Sequence, residues 1–562
     1  MRISGIHVNH DANLCHFSNG ICDYYEDLSR TFRIKHVGLS PYGACSSNNK
    51  VLNRILLFVE HYNSDIVALT FNPSSYEEFQ ISIKQLSCIF FALQDLCAYD
   101  VWSSLRMKGY FSVTDSLIIV EHSRAHIMSA LSTFDDYESH DSILAISLDG
   151  WSTFTWDLVG HVQNNDFFST NWKSSVFKYG GSFYDEYLSR LYIGEQSLSS
   201  PGKLMGMASH GKVRLEIVEW IEEYWESFIF KEKLSDHTQL IKNIESLVVE
   251  TRSAFAALSK ASGIRQSYST NCLDFYASAQ EVFKSSFCKT VDQLVSNFNP
   301  SSIVISGGCG LSIVTNSKLR KQLSKDIQLY IPPFCDDSGQ SYGSAVFVHQ
   351  LKGKTAKLHP SFPYIGCNEP ETGIKKADYI ELSTFDIDRI AELLESGKVV
   401  GIYEGDHAVG PRALGNRSVL ANPLISGMKD KINAQIKHRE WYRPYGAIST
   451  VNCLEQCFDD IFPSPYMLFE FPVKKAYRKM LSECLSASDS CRIQTVKKEQ
   501  HKLLFGILEQ FGCLSGYEIL INTSFNTRGR PIVNSSHDAY QEFVEMGLDA
   551  ALINGELFEV KN

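Results

Sequence analysis

The strongest constraint on the fold is a local pattern that occurs twice: an apolar segment, a tight acidic turn and a second apolar segment. The first copy, ISGIHVNHDANLCHFS, turns at His10-Asp11, and the second, LAISLDGWSTFTWDLVGHV, turns at Asp149-Gly150, about 140 residues later. Apolar runs interrupted by Asn, Asp and Gly are typical of β-strands joined by turns. We therefore predict two copies of one α/β unit that face each other.

Length and composition limit the class of protein. The chain has 562 residues, which at roughly 150 residues per domain predicts three or four lobes rather than one core. Its 44% hydrophobic and 21% charged residues are ordinary for a soluble globular protein, and its net charge of −11 argues against a general nucleic-acid binder. Because the sequence shows no apolar run of about 18 residues and no signal-peptide pattern, we expect a cytoplasmic protein with no membrane partner.

Two histidines stand four residues apart in EHSRAHIMSA, directly after the apolar run SLIIV. On a helix, His122 and His126 would share one face with Cβ atoms about 5–6 Å apart, which suits two ligands of one ion. The same spacing is compatible with two partly solvated helix histidines. The spacing alone leaves both interpretations open.

The middle of the chain changes from helical to mixed patterns. Residues 215–300 place apolar side chains at three- and four-residue intervals, which predicts long helices. They lead into SSIVISGGCGLSIVTN, a strand, a glycine turn and a helix, and such a turn presents N–H groups to an anion. Cys309 lies in this turn, but no base can be assigned to it, and we expect the fifteen irregularly spaced cysteines to be reduced.

Beyond a Lys-, Pro- and Gly-rich stretch at 351–375, FDIDRIAELLESG predicts an amphipathic helix that ends before Gly397, and KVVGIYE predicts a strand. Three basic blocks follow: GPRALGNRS, IKHREWYRPYGA and NTSFNTRGRPIV. Guanidinium groups beside glycine turns and strand ends match phosphate or carboxylate oxygens. Surface salt bridges are the alternative, but three such constrained clusters in an acidic protein favour an anion site.

These three blocks resemble the hallmark segments of the NodU/CmcH-type O-carbamoyltransferases, which carbamoylate hydroxyl groups of antibiotics and lipo-oligosaccharides. HDA at 10–12, the HxxxH at 122–126, LDG at 148–150, KLMGMASHG, SGGCGLSIVTN and DDSGQSYGSA fit the same family in the same order. Four departures from the family pattern are visible. GDHAV at 405–409 replaces a segment like GRMEF, and Arg530 replaces the glutamate of NTSFNxxGEP. The neutral SLSSP replaces an acidic segment before KLMG, and a short insertion follows EDLS before Arg33 and Lys35.

The resemblance implies an α/β protein with two catalytic domains. Residues 1–355 would form an actin-like, two-lobed domain that is similar to the tRNA threonylcarbamoyl-transferase fold. This fold belongs to the actin, sugar-kinase and Hsp70 superfamily. Residues 356–378 would be a linker. Residues 379–562 would form a YrdC-like twisted-sheet domain that makes a carbamoyl-adenylate from carbamoyl phosphate and ATP, with Mg²⁺ accompanying the ATP.

The resemblance also implies site residues. Fe²⁺, or alternatively Mn²⁺ or Zn²⁺, would be held by His122, His126, Asp149 and Asp337. Carbamoyl phosphate and nucleotide would contact Arg412, Arg417, Lys437, Arg439, Arg443, Ser524, Asn526 and Arg528. The N-terminal nucleotide contacts would be Lys203, Gly206, Gly307, Gly308 and Asn316. His10 would be the general base for a small-molecule hydroxyl acceptor, or else a turn histidine bonded beside Asp11.

Three rival functions stay open at this point. One is transfer of a threonylcarbamoyl group to tRNA, which the acidic net charge disfavours. Another is a non-catalytic nucleotide-binding regulatory protein, and a third is a sugar or acid kinase. The sequence does not identify the acceptor, and it is compatible with a homodimer.

Overall fold

A computed structural model divides the chain into two compact units. The first unit comprises Met1–Ile21 and Gly38–Lys357, and the second comprises Cys22–Val37 and Leu358–Asn562. The structure describes residues 1–39, 45–72, 76–94, 96–134, 140, 142–150, 156–163, 166–169, 175–193, 200–229, 237–259, 270–367, 374, 376–378 and 380–561.

The elements up to residue 357 alternate between strands and helices. The strands are β1 (Arg2–His7), β2 (Asn13–Ser18), β3 (Ile21–Asp27), β4 (Ile66–Thr70), β5 (Tyr110–Thr114), β6 (Leu117–Val120), β7 (Ser142–Leu148), β8 (Asp157–Gln163), β9 (Asp166–Ser169), β10 (Ser302–Ser306) and β11 (Gln328–Tyr330). The helices are α1 (Leu28–Thr31), α2 (Cys45–Tyr62), α3 (Tyr76–Leu86), α4 (Ala98–Lys108), α5 (His122–Thr133), α6 (Ser189–Ile193), α7 (Pro201–Ala208), α8 (Leu215–Ile229), α9 (His237–Ser259), α10 (Thr270–Phe298), α11 (Ile313–Gln322) and α12 (Gln340–Leu351).

Two sheets of the first unit repeat one strand order. In the first sheet β2 pairs antiparallel with β1, β1 pairs parallel with β4, and β4 pairs parallel with β6. In the second sheet β8 pairs antiparallel with β7, β7 parallel with β10, and β10 parallel with β11. The predicted duplication and the actin-like, two-lobed α/β class are therefore confirmed.

The two strand–turn openings are built as the sequence indicates. β1 and β2 are almost continuously buried, as expected for strands in the interior of a sheet covered on both faces. The first turn places Asp11 at a φ of 58°, a left-handed conformation that aspartate tolerates better than most residues. In the second opening, β7 ends at Leu148, and the segment 151–155 of the predicted return strand lies outside the described residues.

The predicted helical region is confirmed by α8, α9 and α10, which together occupy most of residues 215–298. Tyr179, Phe183 and Trp225 form a buried aromatic group in which each ring contacts the other two, at centroid distances of 5.0–5.3 Å. None of the helices in the described part of the chain is long and apolar enough to cross a membrane.

The second unit contains a large mixed sheet. Its remaining strands are β12 (Tyr364–Gly366), β13 (Ile380–Thr384), β14 (Val400–Tyr403), β15 (His407–Ala408), β16 (Arg417–Ala421), β17 (Gly446–Thr450), β18 (Glu470–Pro472), β19 (Ser490–Val496), β20 (Ile519–Ser524), β21 (Ala550–Ile553) and β22 (Glu556–Val560). Its remaining helices are α13 (Ile387–Glu395), α14 (Met428–Lys431), α15 (Val451–Cys457), α16 (Lys502–Ser515) and α17 (Ser536–Met546). Within the described residues, nine strands follow the order β13-β22-β21-β14-β16-β20-β17-β19-β18.

The core of this unit lies where α13 and α16 cover the sheet. Ile390 and Leu394 of α13 are fully buried against Ile507 and Phe511 of α16 and against the central strands. The predicted amphipathic helix and the following strand are confirmed as α13 and β14. Gly397, just beyond the helix, has a φ of 84°. Glycine adopts this left-handed backbone conformation, which ends the helix, with little strain.

The second unit also includes a short N-terminal segment, Cys22–Val37. Arg30 is buried in this segment and donates hydrogen bonds to the carbonyl oxygens of Ala408 (3.1 Å) and Gly410 (2.6 Å). Arg33 donates to the Glu542 carboxylate at 2.7 Å. The sequence-based division assigned all of residues 1–355 to one domain, whereas these contacts place 22–37 with the chain beyond Leu358.

Candidate metal centre and anion site

Both histidines of the HxxxH pattern lie at the start of α5. Strand β6 delivers the chain to Glu121, whose side chain accepts a hydrogen bond from the Arg124 backbone N–H at 2.9 Å and so caps the helix. His122 and His126 are completely buried. Partly solvated helix histidines, one of the two interpretations left open by the sequence, are therefore ruled out for this pair.

Two carboxylates approach these histidines from separate elements. Asp149 follows β7, and its Oδ1 accepts hydrogen bonds from the backbone N–H groups of Gly150 (2.8 Å) and Gly308 (3.3 Å). Asp337 begins a 3₁₀ turn, Asp337–Gly339, that leads into α12. Both carboxylates are thus fixed by backbone structure, which limits the directions in which they can present their second oxygens.

The four side chains converge on one point. Asp149 Oδ2 lies 3.3 Å from His122 Nε2 and 3.1 Å from His126 Nε2. Asp337 Oδ1 lies 3.3 and 3.2 Å from the same two nitrogens. One ligand atom from each residue lies within 4.8 Å of every other, so the group can hold a single metal ion.

The electrostatics of the group favour a cation. Burial disfavours the charged form of Asp149, yet hydrogen bonds from His122 and His126 hold its pKa below the usual range. Burial likewise opposes protonation of His122, but the charge of Asp337 prevails and raises the pKa of His122 to about 9. The negative charge of the two carboxylates would be balanced by a bound cation. Together with two imidazole nitrogens they form a donor set that fits Fe²⁺, Mn²⁺ or Zn²⁺ better than Ca²⁺.

Asn13, which the sequence analysis missed, supports Asp337. Its side-chain amide donates to the carbonyl oxygens of Asp11 (2.7 Å) and Asp337 (2.8 Å), and its Oδ1 accepts from the Ser341 N–H at 3.0 Å. One buried amide therefore ties β2 to the turn that carries a candidate ligand. The only available signal was an asparagine at the start of a predicted strand.

His7 is a second missed neighbour of the group. It is buried at the end of β1, with its Nε2 3.6 Å from Asp337 Oδ2 and its ring centroid 5.9 Å from that of His122. Burial lowers the pKa of His7, which keeps the imidazole neutral. Its signal in the sequence was the run HVNHD, in which only the second histidine matched the family pattern.

His10 lies at the edge of the group, with 41% of its side chain exposed. Its Nε2 is 3.3 Å from Asp337 Oδ2, and its Nδ1 is 3.4 Å from Asp11 Oδ2. Burial opposes the charged form, but the Asp337 and Asp11 carboxylates outweigh it and raise the pKa of His10 to about 10. The turn contact with Asp11 is therefore present, and so is the approach to the candidate metal ligands.

The N-terminal nucleotide residues fall into two groups. Gly307 has a φ of 86°, and a Cβ there would lie 2.2 Å from the Leu148 carbonyl oxygen, so only glycine fits beside the end of β7. Asn316 donates to the Gly310 carbonyl at 2.7 Å and holds the glycine turn closed. Lys203 and Gly206 lie on α7, which packs against α10, α6 and the π-helical turn Phe183–Leu188.

In the second unit, three residues predicted from two of the basic blocks meet. Lys437 Nζ is buried and donates to the Ser524 carbonyl at 2.7 Å, to the Asn526 carbonyl and to Asn526 Oδ1 at 2.9 Å. Burial and the charge of Arg439 hold the pKa of Lys437 well below its usual range. This arrangement places a desolvated amine at the end of β20.

The predicted arginines have different contacts. Arg417 donates to the carbonyls of Glu404 and Gly405 and stacks on Tyr403 at 3.7 Å, contacts that hold the loop before it. Arg528 is 60% exposed and forms a surface pair with Glu440 at 3.2 Å. The remaining predicted members, Arg412, Arg439 and Arg443, are neighbours of a common residue.

That residue is Arg492 of β19, which the sequence analysis did not identify. Its Nε is inaccessible to solvent and has no hydrogen-bond partner among the described residues. Burial, followed by the charges of Arg412, Arg439 and Arg443, lowers the pKa of Arg492. Four guanidinium groups that repel one another at the end of a sheet are what an anion site requires. The signal was a single charged residue inside the otherwise uncharged strand SCRIQTV.

Two family profiles match the chain in sequence order. The profile described as carbamoyltransferase N-terminus matches residues 79–346, and the profile described as carbamoyltransferase C-terminus matches residues 391–559. The chain belongs to the carbamoyltransferase family. The predicted family is thereby confirmed.

Several proteins align with this chain over different lengths. Uncharacterized protein MJ1058 of Methanocaldococcus jannaschii is 28% identical over 51% of this chain, and the match spans only 49% of that protein. Nodulation protein U of Rhizobium fredii is 29% identical over 73% of this chain and 69% of its own length. Among solved structures, full-length HypF in the phosphate- and nucleotide-bound form shows 12% identity and a TM-score of 0.33, covering 63% of this chain and 56% of its own.

Proposed function

We propose that the protein is an ATP-dependent O-carbamoyltransferase that uses both units. The second unit would convert carbamoyl phosphate and ATP to a carbamoyl-adenylate, and the first would transfer the carbamoyl group to a hydroxyl of a small molecule. The observation that carries this proposal is the cluster around Arg492, because this arginine is buried, its Nε has no hydrogen-bond partner among the described residues, and the charges of three further arginines act on it.

The chemistry of the second unit would centre on negative charge. Hydrolysis of carbamoyl phosphate releases phosphate and leaves carbamate, whose oxygen displaces pyrophosphate from the α-phosphorus of ATP. Both partners are anions, so their approach needs positive charge from the protein. Arg412, Arg443 and Arg492 would hold the phosphate oxygens, and the amine of Lys437 lies beside Ser524 and Asn526 at the same sheet end.

In the first unit the hydroxyl of the acceptor would attack the carbamoyl carbon, with AMP leaving. His122, His126, Asp149 and Asp337 would hold a divalent cation, which when bound supplies Lewis-acid charge. His10 would accept the proton of the hydroxyl. A cation bound to the Asp337 carboxylate would weaken one of the interactions that raise the pKa of His10, and so favour the neutral imidazole that a base requires.

The reaction of the second unit is tested by its products. Purified protein should form AMP and pyrophosphate from ATP only when carbamoyl phosphate is supplied. Arg492→Lys should reduce this rate by about 10²-fold or more, since lysine cannot reproduce two parallel hydrogen bonds to an oxyanion. Arg478→Lys is the matched control, because Arg478 is 42% exposed and pairs with Asp489 on the surface. A folded wild-type protein that releases no pyrophosphate would contradict the proposal.

The division of labour is tested in the first unit. His10→Asn should slow carbamoyl transfer by roughly 10²–10⁴-fold, the usual contribution of a positioned base, while bound metal and pyrophosphate release persist. His126→Ala should also abolish transfer, but with loss of bound metal measured by elemental analysis. Unchanged transfer in His10→Asn, or loss of pyrophosphate release in that variant, would show that the assignment is wrong.

A further inference from the structure

The predicted anion residue Arg412 lies in the middle of a closed loop, residues 406–416. The Asn416 side-chain amide donates a hydrogen bond to the Asp406 carbonyl at 2.7 Å and so joins the two ends of the loop. Compact loops whose ends meet in this way are often functional. After burial, the charge of Arg412 is among the causes that lower the pKa of Arg492, so the loop brings Arg412 to the anion site.

Each arm of the loop is fixed by a hydrogen bond from another element. Before Arg412, the Gly410 carbonyl accepts from the Arg30 guanidinium at 2.6 Å. After Arg412, the Leu414 carbonyl accepts from the side-chain amide of Gln494 in β19 at 2.8 Å. Arg412 lies midway between these anchors, so its backbone position depends on whether the ends of the loop stay joined.

His501, the residue before α16, determines how the Asn416 amide is oriented. Its Nδ1 accepts a hydrogen bond from the Leu504 N–H at 3.3 Å, and its Nε2 lies 2.7 Å from Asn416 Oδ1. Burial lowers the pKa of His501 to about 4, so the imidazole is neutral and has one N–H donor. Because Nδ1 is the acceptor, the proton is on Nε2, which donates to Asn416. The Asn416 Nδ2 group is thereby directed to the Asp406 carbonyl.

The same end of α16 also contacts the backbone beside Asn416. Gly415 has a φ of 129°, and a Cβ there would lie 2.1 Å from Leu504 Cδ1 and 3.0 Å from His501 Nε2. Leu504 is buried in the core that α16 forms with α13 and the sheet. His501 therefore holds the joined ends of the loop against a rigid element, although it lies 85 positions from Asn416 in the sequence.

We propose that His501 is a positioning residue that keeps the ends of loop 406–416 joined and so holds Arg412 in place for an anion. Capping of α16 is the competing role, since His501 Nδ1 accepts from the first turn of that helix. The two roles use different ring nitrogens and can therefore be separated. The inference rests on the proposed function for the identity of the anion, carbamoyl phosphate.

The test compares two substitutions that each retain the function of one ring nitrogen. His501→Asn keeps an acceptor for the Leu504 N–H, since asparagine is a favoured N-cap, but its side chain is too short to reach Asn416. His501→Gln places an N–H near the position of the imidazole Nε2 and has no acceptor at the position of Nδ1. Calorimetric titration of the full chain with inorganic phosphate measures affinity, and urea denaturation measures stability.

His501→Asn should bind phosphate about 10-fold more weakly than wild type, since the lost hydrogen bond orients the loop that carries an anion-binding residue. Its unfolding midpoint should stay close to the wild-type value. His501→Gln should show the opposite result, with a lower midpoint and wild-type affinity. If His501 only caps α16, His501→Asn will bind phosphate as tightly as wild type, and the inference is overturned.

A double-mutant cycle tests whether the effect passes through Arg412. Arg412→Ala should bind phosphate as weakly alone as in combination with His501→Asn, because a positioning residue has no effect once the residue that it positions is gone. Additive losses in the double variant would contradict the inference. Ser535→Ala is the matched control: it removes the cap of α17, a 3.0 Å bond from the Asp538 N–H, and should lower the midpoint without changing phosphate affinity.

The phosphate titration requires no turnover, so its result is independent of the proposed reaction. In the pyrophosphate-release assay, His501→Asn should raise the KM for carbamoyl phosphate by the same factor and leave kcat within about threefold of wild type. Phosphate binding that depends on His501, in a protein that releases no pyrophosphate, would contradict the proposed function alone. Absence of phosphate binding in the wild type would overturn the inference.

Discussion

Replacement of Asn13 by leucine would test how much a residue that orients a candidate ligand contributes to metal binding, because it leaves all four candidate ligands in place. Leucine has nearly the same shape, but it loses three hydrogen bonds, to the carbonyls of Asp11 and Asp337 and from the Ser341 N–H. At about 0.5–1.5 kcal/mol for each, the free energy of unfolding should fall by about 2–4 kcal/mol. Because one of these bonds orients Asp337, metal affinity should fall by about 10–100-fold, the usual effect of a residue that orients a ligand.

The assay has two parts. Urea denaturation of the metal-free protein measures the free energy of unfolding, and competition with a chromogenic chelator measures Zn²⁺ affinity. Thr251→Val is the matched control: it removes a buried hydroxyl that contacts Tyr187 on another element, so it should cost about 1 kcal/mol of stability and leave metal affinity unchanged. Asn13→Leu with wild-type Zn²⁺ affinity would refute the argument that this amide positions Asp337.

Three further substitutions test other contacts. Gly343→Ala would place a Cβ 1.9 Å from the Ala125 carbonyl, so α12 must move from α5 and stability should fall by about 1–3 kcal/mol in urea; an unchanged midpoint would contradict this close approach. Arg33→Ala removes a 2.7 Å bond to the buried Glu542 and should cost about 2–3 kcal/mol, part of which Glu542→Gln in the same chain should restore. Burial holds the pKa of His407 well below its usual value, so below about pH 6.5 the unfolded chain binds more protons than the folded chain. The free energy of unfolding should therefore decline as the pH falls through that range. His407→Gln should make this decline shallower, and an equally steep decline in the variant would refute the argument.

The parts of the structure that could be predicted from sequence are those determined by residues close to one another in the chain. The strand–turn–strand copies, the helix that begins at His122 and the glycine turn at 307–310 each follow from local periodicity and turn residues. Asp337 was assigned through the resemblance to a family motif, and the structure places it beside the other three candidate ligands. Local pattern and motif together were sufficient for this group.

The parts that the sequence did not indicate depend on contacts between distant residues. Asn13 contacts Asp337, 324 positions away, and nothing near Asn13 in the sequence marks that partner. Arg492 is the single charged residue of β19, and the sequence gives no sign that the folded sheet places it beside Arg412 and Arg439. Arg417 is a case in which the motif suggested a role that its contacts do not support. It was expected to bind an anion, but it donates hydrogen bonds to carbonyl groups of the loop before it.

The assignment of residues 22–37 to the second unit has a consequence for the timing of synthesis. Arg30 leaves the ribosome early, whereas the Ala408 carbonyl that accepts its hydrogen bond is encoded 378 positions later. At translation rates of about 5–20 residues per second, the interval is about 20–75 s. Throughout that time the nascent chain carries a segment of the second unit while the long stretch 38–357 is being made. A fragment that begins at residue 358 would lack this segment altogether, so the second unit cannot be obtained by simple removal of the first.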